Sequence, residues 1–305
     1  MDRMIPVPYS RPPSDVATIG ARNVAVFEDR TDSNRDTAVI ESFGEEWNQF
    51  HAFDEAELAR IASDYFDLID ASVVNKETYA IDIGCGTGRF SKALAPRVGF
   101  IEAVDPSDSL QAADKLLKGV PNVRLTKASV ENLPFSDETF DFAMSVGVLH
   151  HIPDTEKALR TCVAKVKRGG YFYVYLYYAL DNRGPAFRAL FRAVDAVRRT
   201  VSRLPSTWKQ ITCDALAVGV YMPPVWIGRA LRAAGYSELS RRLPLSYYQT
   251  KSFYIIRNDA RDRFGTSLEH RFSRREVVEM MHRAGLVDVT VSEKMPYWHA
   301  IGRKP

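Results

Sequence analysis

The sequence predicts an α/β fold in which helices cover both faces of a doubly wound, mostly parallel sheet, with an antiparallel last strand and an inserted helical cap. Three observations predict this fold. Short apolar runs alternate with amphipathic segments between residues 79 and 175. A glycine-rich turn, Gly84-Cys85-Gly86-Thr87-Gly88, directly follows the first apolar run. A long segment with its own helical signals precedes the final helix. Strands separated by helices form parallel sheets that are covered on both faces.

The individual elements follow from local signals. Apolar residues spaced at i, i+3 and i+4 predict a first amphipathic helix that begins near Asp54: Leu58, Ile61, Ala62, Tyr65, Phe66 and Ile69. Apolar runs then predict strands at 79–83, 100–104, 123–127, 140–145 and 171–175. Helices are expected between them at 89–94, 109–117 and 155–167. Ser273 and Glu276 have the spacing of a capping box, which predicts a helix over 274–284, and two closing strands are expected at 287–291 and 297–301.

The chain divides into four segments by composition. Residues 1–40, rich in Pro, Arg, Asp and Ser, form an N-terminal arm. Residues 41–180 form the core, 181–270 an inserted cap that binds substrate, and 271–305 the helix and strands that complete the core. Between Asp181 and Arg242, eleven basic residues oppose four acidic ones, a formal charge of +7. This surplus fits an anionic acceptor, an acidic membrane surface or an ordinary solvated helix face.

The composition restricts the class of protein. The net charge of +3 over 305 residues argues against a nucleic-acid binder. Three scattered cysteines, without a CxxC pair, predict neither a disulfide framework nor a metal site. The first residues lack the apolar core of a signal peptide, and the longest apolar stretch identified, 171–180, is half the length of a membrane span. We therefore expect a reduced, soluble, cytoplasmic protein without a transmembrane segment; its oligomeric state is left open.

The glycine-rich turn has the chemistry of a nucleotide-like cofactor site. Glycines at alternate positions let the backbone approach a ligand without interference from Cβ atoms, and the following helix directs its first amides at that ligand. The GxGxG spacing differs from the GxGxxG of dinucleotide dehydrogenases, and no Lys-Ser/Thr pair follows to grip a phosphate. Asp105, at the end of the next strand, is suited to accept hydrogen bonds from ribose hydroxyls. The alternative interpretation makes Asp105 a turn former before Pro106.

Four blocks in order resemble the class I, UbiE-like (methyltransferase type 11) S-adenosylmethionine methyltransferases: residues 80–88 (AIDIGCGTG), 104–107 (VDPS), 131–141 (ENLPFSDETFD) and 148–154 (VLHHIPD). The resemblance covers residues 79–175 and implies a Rossmann-like core. The segment 42–47 (SFGEEW) is also similar to the start of bacterial methyltransferases associated with surface glycans.

This resemblance implies S-adenosylmethionine as the cofactor. Its methionine part is expected over Gly84, Gly86 and Gly88, with Asp82 at the amino end and Cys85 as a small packing residue inside the turn. The ribose is expected at Asp105. The adenine is expected beside Pro106, Ser129, Val130 and Glu131, and Val146 with its neighbour Gly147 faces the sulfonium end. Many relatives carry Asp where this chain has Ser129, whose hydroxyl can still accept a hydrogen bond from the adenine amino group.

The acceptor side of the site is less well defined. His150 and His151 are candidate bases because histidine titrates near neutral pH, or scaffold residues that bond to the backbone of their loop. Trp47, Tyr177 and Tyr247 are candidate substrate-binding residues, although each is also a common packing residue. An alternative for Trp47, together with Phe43, is to close over the cofactor and shield its positive charge. The leading hypothesis is methyl transfer to an oxygen or nitrogen of a small-molecule, glycan or lipid-linked acceptor, with an anionic acceptor as one alternative. The alternatives are RNA methylation and a non-catalytic cofactor-binding protein.

Overall fold

A computed structural model describes residues 4–28, 34–49, 55–181 and 184–305. The chain forms two compact units, one of Met1–Asn182 with Leu268–Pro305 and one of Arg183–Ser267. The second unit falls within the 181–270 segment that composition assigns to the cap. The first unit therefore contains the Gly84 turn and both halves of the predicted core.

The first unit is built on one sheet of nine strands. The strands are β1 (Asp15–Ile19), β2 (Arg22–Val26), β3 (Tyr79–Ile83), β4 (Phe100–Asp105), β5 (Val123–Lys127), β6 (Phe140–Val146), β7 (Val166–Tyr175), β8 (Val287–Val291) and β9 (His299–Arg303). Their order is β1-β2-β5-β4-β3-β6-β7-β9-β8. All pairs from β2 to β7 are parallel, and β9 is antiparallel to both β7 and β8. The predicted Rossmann-like sheet with an antiparallel last strand is confirmed.

The described helices include six in the first unit and five in the second. In chain order they are α1 (Thr37–Gln49), α2 (Glu55–Tyr65), α3 (Arg89–Leu94), α4 (Leu110–Leu116), α5 (Thr155–Ala164), α6 (Pro185–Val201), α7 (Ser206–Leu216), α8 (Met222–Ala233), α9 (Ser237–Arg242), α10 (Phe253–Gly265) and α11 (Arg274–Arg283). Ser273 and Glu276 form the predicted capping box at the start of α11. The predicted helix start at Asp54 lies outside the described residues.

Several predicted boundaries were wrong. The 1–40 arm contains the β1–β2 hairpin, which extends the sheet because Ala25 and Val26 pair with β5. Helix α1 runs across the predicted boundary at residue 40. The helix predicted to reach residue 167 ends at Ala164 because β7 already begins at Val166. The final strand lies two residues later than expected, over His299–Arg303.

The central strands are buried on both faces of the sheet. All five residues of β3 are buried, and successive side chains point to opposite sides. Ile81 and Ile83 pack into the core layer that includes residues of α5 and α11, whereas Ala80 packs into the layer that includes residues of α3 and α4. This double burial holds the end of β3 rigid, and the end of β3 is where the Gly84 turn begins.

The second unit is helical and has its own core. That core includes buried residues of α7, α8, α10 and the turn between α7 and α8, among them Cys213, Tyr221, Val225, Ile256 and Phe264. Helices α7 and α8 join through a π-helical turn, Ala217–Tyr221, into one helical stretch, Thr207–Ala233. By length and composition alone this 27-residue stretch is apolar enough to cross a membrane. The expectation that 171–180 is the longest apolar stretch was therefore wrong.

Candidate active site

The Gly84 turn depends on glycine for both conformation and space. Gly84, Gly86 and Gly88 have φ values of +80°, +53° and +76°, which L side chains rarely adopt. The Gly84 and Cys85 amides donate hydrogen bonds to the Val104 carbonyl at 2.8 and 3.0 Å. A Cβ atom on Gly84 would lie 2.4 Å from a methyl group of Val148. The turn is thus held tightly between β4 and the loop that follows β6.

Asp105 braces this turn from the end of β4. Its carboxylate accepts hydrogen bonds from the Gly86 amide at 2.9 Å and from the Ser107 amide and hydroxyl at 2.8 and 2.6 Å. These contacts support the turn-forming interpretation. A carboxylate has about four acceptor positions, so one remains for a ligand hydroxyl. The ribose role of Asp105 stays a prediction.

Asp82 is a buried acid with one carboxylate oxygen in use. Oδ2 accepts a hydrogen bond from the Ser91 hydroxyl at 2.6 Å. Among the described residues, Oδ1 has no hydrogen-bond partner, and the same is true of the buried Thr87 hydroxyl within the turn. Burial, with a smaller contribution from the charge of Asp105, raises the pKa of Asp82 to about 7. A cationic amino group would supply the missing partner and stabilise the carboxylate, so this acid fits the ammonium end of S-adenosylmethionine.

Helix α1 covers the turn from outside the sheet. The position of a Cβ on Gly86 lies 3.5 Å from the Trp47 indole nitrogen. The Arg89 guanidinium stacks on the Trp47 ring at 4.4 Å. One turn earlier in α1, the Phe43 ring lies 4.9 Å from the His151 ring. Trp47 therefore lies over the Gly84–Gly88 turn, and its role in substrate binding stays a prediction.

The residues predicted to surround the adenine lie beside Asp105. The Ala128 amide donates a hydrogen bond to the Asp105 carbonyl at 3.3 Å, which places the turn containing Ser129 and Val130 next to the strand end. Glu131 forms an ion pair with Lys157 at 3.0 Å. Pro106 continues from Asp105, and Val146 ends β6 as a buried residue.

Cys85 is a packing residue in this structure. Its side chain is 3% exposed. Burial, reinforced by the charges of Asp105 and Asp82, raises the pKa of its thiol well above the usual value. The thiol is therefore protonated and unreactive at neutral pH.

The two histidines after β6 have different environments. His151 Nδ1 lies 2.8 Å from the Leu268 carbonyl, which can only accept, so this nitrogen carries the proton. His150 is fully buried, and neither of its ring nitrogens has a hydrogen-bond partner among the described residues. Burial lowers the pKa of His150 well below 6.5, and the charges of His151, Arg271 and His270 lower it further. His150 is therefore neutral at pH 7, with two buried ring nitrogens that have no partner among the described residues.

The sequence analysis missed the segment that faces these histidines. The His270 amide donates to the His150 carbonyl at 2.8 Å, and the Arg271 guanidinium lies 5.2 Å from the Tyr177 ring. Glu269 forms an ion pair with Arg271 at 2.6 Å. Glu269 Oε2 and His270 Nε2 are buried and lack a partner among the described residues. The polar run Glu269-His270-Arg271, just before the capping box, was the available signal.

The two predicted tyrosines lie in different units. Tyr177 stacks on His150, with ring centroids 3.9 Å apart and an interplanar angle of 28°. Tyr247 belongs to the second unit, where its ring lies 5.3 Å from that of Tyr248 and 4.6 Å from the Lys251 ammonium. The structure thus brings Tyr177 to the histidine pair. The role of Tyr247 stays a prediction.

Comparison with known proteins agrees with this arrangement. The family model described as "Methyltransferase domain" matches residues 81–174. The uncharacterized methyltransferase YcgJ of Bacillus subtilis is 32% identical over 118 residues, which cover 38% of this chain and 47% of that protein. A ubiquinone biosynthesis O-methyltransferase of Coxiella burnetii is 27% identical over 45% of this chain and 57% of its own length. This chain therefore spans about half the length of the curated relatives it matches.

A solved structure of a SAM-dependent methyltransferase from Aquifex aeolicus, 16% identical, superposes with a TM-score of 0.43 over 82% of this chain and 97% of its own. The family assignment therefore rests on the sequence matches and on the site described above. The resemblance inferred from the four sequence blocks is confirmed. Residues 81–174 therefore carry a methyltransferase domain of the class I, S-adenosylmethionine-dependent kind that the four sequence blocks resemble.

Proposed function

We propose that this chain transfers the methyl group of S-adenosylmethionine to a hydroxyl oxygen of a small-molecule or glycan acceptor. One observation carries the proposal: unpartnered, buried polar atoms lie at two places in the site. Asp82 Oδ1 lies beside the Gly84 turn, and the His150 ring lies on the loop after β6. Helix α1 contacts both regions, through Trp47 and Phe43.

On the donor side, the chain binds S-adenosylmethionine and orients it. Bound S-adenosylmethionine supplies an electrophilic methyl group on a positively charged sulfur, so the donor needs no activation by the protein. Asp82 accepts hydrogen bonds from its ammonium group. The glycine positions let the backbone approach closely, and Trp47 excludes water from the turn. Alignment of this kind accounts for most of the rate acceleration in an in-line displacement.

On the acceptor side, His150 orients the hydroxyl. Its neutral ring accepts a hydrogen bond from the hydroxyl and directs an oxygen lone pair at the methyl carbon. The oxygen becomes strongly acidic as its bond to that carbon forms. A weak base is therefore sufficient, and the hydroxyl proton passes to the His150 ring nitrogen. The Coxiella burnetii relative is named as an O-methyltransferase, which supports an oxygen acceptor.

The first test is calorimetric titration with S-adenosylmethionine and with S-adenosylhomocysteine. Transfer of an isotopically labelled methyl group to a panel of phenols, alcohols and amines then identifies the acceptor. We expect both ligands to bind and the label to appear on a hydroxyl compound. No binding of either ligand contradicts the cofactor assignment, and label on amines alone contradicts the oxygen assignment.

The histidine is tested by His150→Gln. We expect kcat to fall about a hundredfold because the aligning contact and the proton acceptor are lost, with unchanged affinity for S-adenosylhomocysteine. His282→Gln is the matched control, because His282 lies on α11, outside the site, and its Nδ1 lies 3.0 Å from the nearby Leu286 carbonyl. Equal turnover in both variants would remove His150 from the mechanism.

A further inference from the structure

The stretch Thr207–Ala233 of the second unit presents a broad apolar face to solvent. Six large apolar side chains on it are about half exposed or more: Trp208 (64%), Ile211 (53%), Val218 (49%), Val220 (49%), Trp226 (54%) and Ile227 (55%). Between Thr207 and Gly228 the only charged residues, Lys209 and Asp214, are half-buried. The exposed positions in this span are therefore uncharged. A continuous apolar face of this kind marks a binding surface.

The opposite side of the stretch packs into the core of the second unit. Cys213, Ala217, Tyr221 and Val225 are at most 2% exposed and pack in that core. Asp214 forms a bidentate ion pair with Arg257 of α10, at 2.5 and 2.6 Å. A helix that spans a bilayer alone contacts lipid all round, whereas this one contacts protein on one side. Its geometry is that of an amphipathic helix lying in the plane of an interface.

The charge of the second unit indicates which kind of partner covers the apolar face. Arg183–Ser267 contains 15 Arg and Lys and five Asp and Glu, a formal charge of +10, whereas the whole chain carries +3. Exposed arginines flank the apolar face at both ends, with Arg203 before it and Arg232, Arg241 and Arg242 after it. A second copy of so basic a unit would be repelled, and a nucleic acid would leave the apolar face uncovered. Tryptophan and arginine together favour the headgroup region of an anionic bilayer.

We propose that the Arg183–Ser267 unit docks on the surface of anionic phospholipid membranes. The apolar face inserts at the boundary between headgroups and acyl chains, and the flanking arginines bind the anionic headgroups. Each arginine near the surface strengthens binding about fivefold at moderate salt. The docking surface is independent of the proposed methyl transfer, since none of its residues lies in the site described above.

The experiment is co-sedimentation of the full chain with vesicles of mixed phosphatidylglycerol and phosphatidylcholine and with vesicles of phosphatidylcholine alone. We expect binding to the mixed vesicles that weakens with added salt. The double variant Trp208→Glu/Trp226→Glu should bind at least about tenfold more weakly, because both anchors become charged. Ile5→Glu is the matched control, since Ile5 is an 83% exposed apolar residue of the first unit. Circular dichroism and thermal unfolding of each variant verify that the second unit is folded.

A second variant tests the contribution of the arginine charges to membrane binding without altering the apolar face. Arg241→Gln/Arg242→Gln leaves the apolar face unchanged and should weaken binding to the anionic vesicles about tenfold or more, with a shallower salt dependence. The proposal is overturned if the unaltered chain stays in solution with anionic vesicles, or if the tryptophan variant binds as the unaltered chain does. It is equally overturned if the chain sediments as a dimer that Trp208→Glu/Trp226→Glu dissociates, since the face then covers a second copy.

Discussion

The buried acid Asp82 should lower the stability of the protein at neutral pH, and Asp82→Asn should remove that cost. The pKa of Asp82 is about 7 in the folded chain, against 3.8 for an unperturbed aspartate. The folded chain therefore holds a proton that the unfolded chain releases, and the stabilisation present below pH 3.8 is lost as the pH rises through 7. Integrated between pH 5 and pH 8, this loss is about 2–3 kcal/mol in the free energy of unfolding.

The assay is urea unfolding of the ligand-free protein at pH 5 and pH 8, for the unaltered chain and for Asp82→Asn. Other titrating groups contribute equally to both, so the difference between the two pH dependences isolates Asp82. The amide oxygen can still accept the Ser91 hydrogen bond, while the buried amide NH2 costs about 1–3 kcal/mol at every pH. The pH dependence should therefore be about 2–3 kcal/mol weaker in the variant. Identical pH dependences would refute the buried-acid reasoning.

The same acid should make ligand binding depend on pH. Because the ammonium group binds the carboxylate form, the affinity of the unaltered chain for S-adenosylhomocysteine should fall as the pH drops below 7, by up to about tenfold per unit. Asp82→Asn should bind more weakly and lose this dependence. Calorimetric titration from pH 5 to pH 8 measures both effects, and an unaltered affinity profile in the variant would exclude Asp82 from the binding site.

Two further predictions concern the turn and its cover. Gly84→Ala should destabilise the protein by more than about 3 kcal/mol, because the new methyl group meets Val148 and φ at this position is positive. Gly119→Ala, at a similar φ with nothing within 4 Å, should cost about 1 kcal/mol. Thermal unfolding compares the two variants, and equal losses of stability would mean that Val148 does not restrict the turn. Trp47→Ala should weaken S-adenosylhomocysteine binding about tenfold with little change in melting temperature, since the ring contacts the Gly86 turn and Arg89; unchanged binding would place the indole outside the cofactor site.

Much of the core was predictable because its signals are local. The α11 capping box depends on residues three apart, and the Gly84 turn on alternate glycines directly after a strand. The short boundary errors have local causes as well. Helix α5 ends early because the strand pairing of Val166 competes with helix continuation, and periodicity alone does not show that competition.

The acceptor side was less predictable because it is assembled by distant residues. Glu269 and His270 lie more than a hundred positions from His150, and their segment meets the histidine loop only through tertiary backbone contacts. Trp47 likewise reaches Gly86 only because α1 folds back over the turn. No spacing rule relates such residues, so their contacts emerge only in the folded chain.

The sequence by itself determined the alternation of strands and helices between residues 79 and 175, the Gly84 turn and the class of cofactor, because each is encoded by neighbouring residues. The tertiary structure alone decided which buried polar atoms have no partner, including Asp82 Oδ1 and the His150 ring. It also decided which side of Thr207–Ala233 faces solvent. Hydrogen-bond satisfaction and exposure depend on everything packed around a residue, and that environment exists only once distant parts of the chain meet.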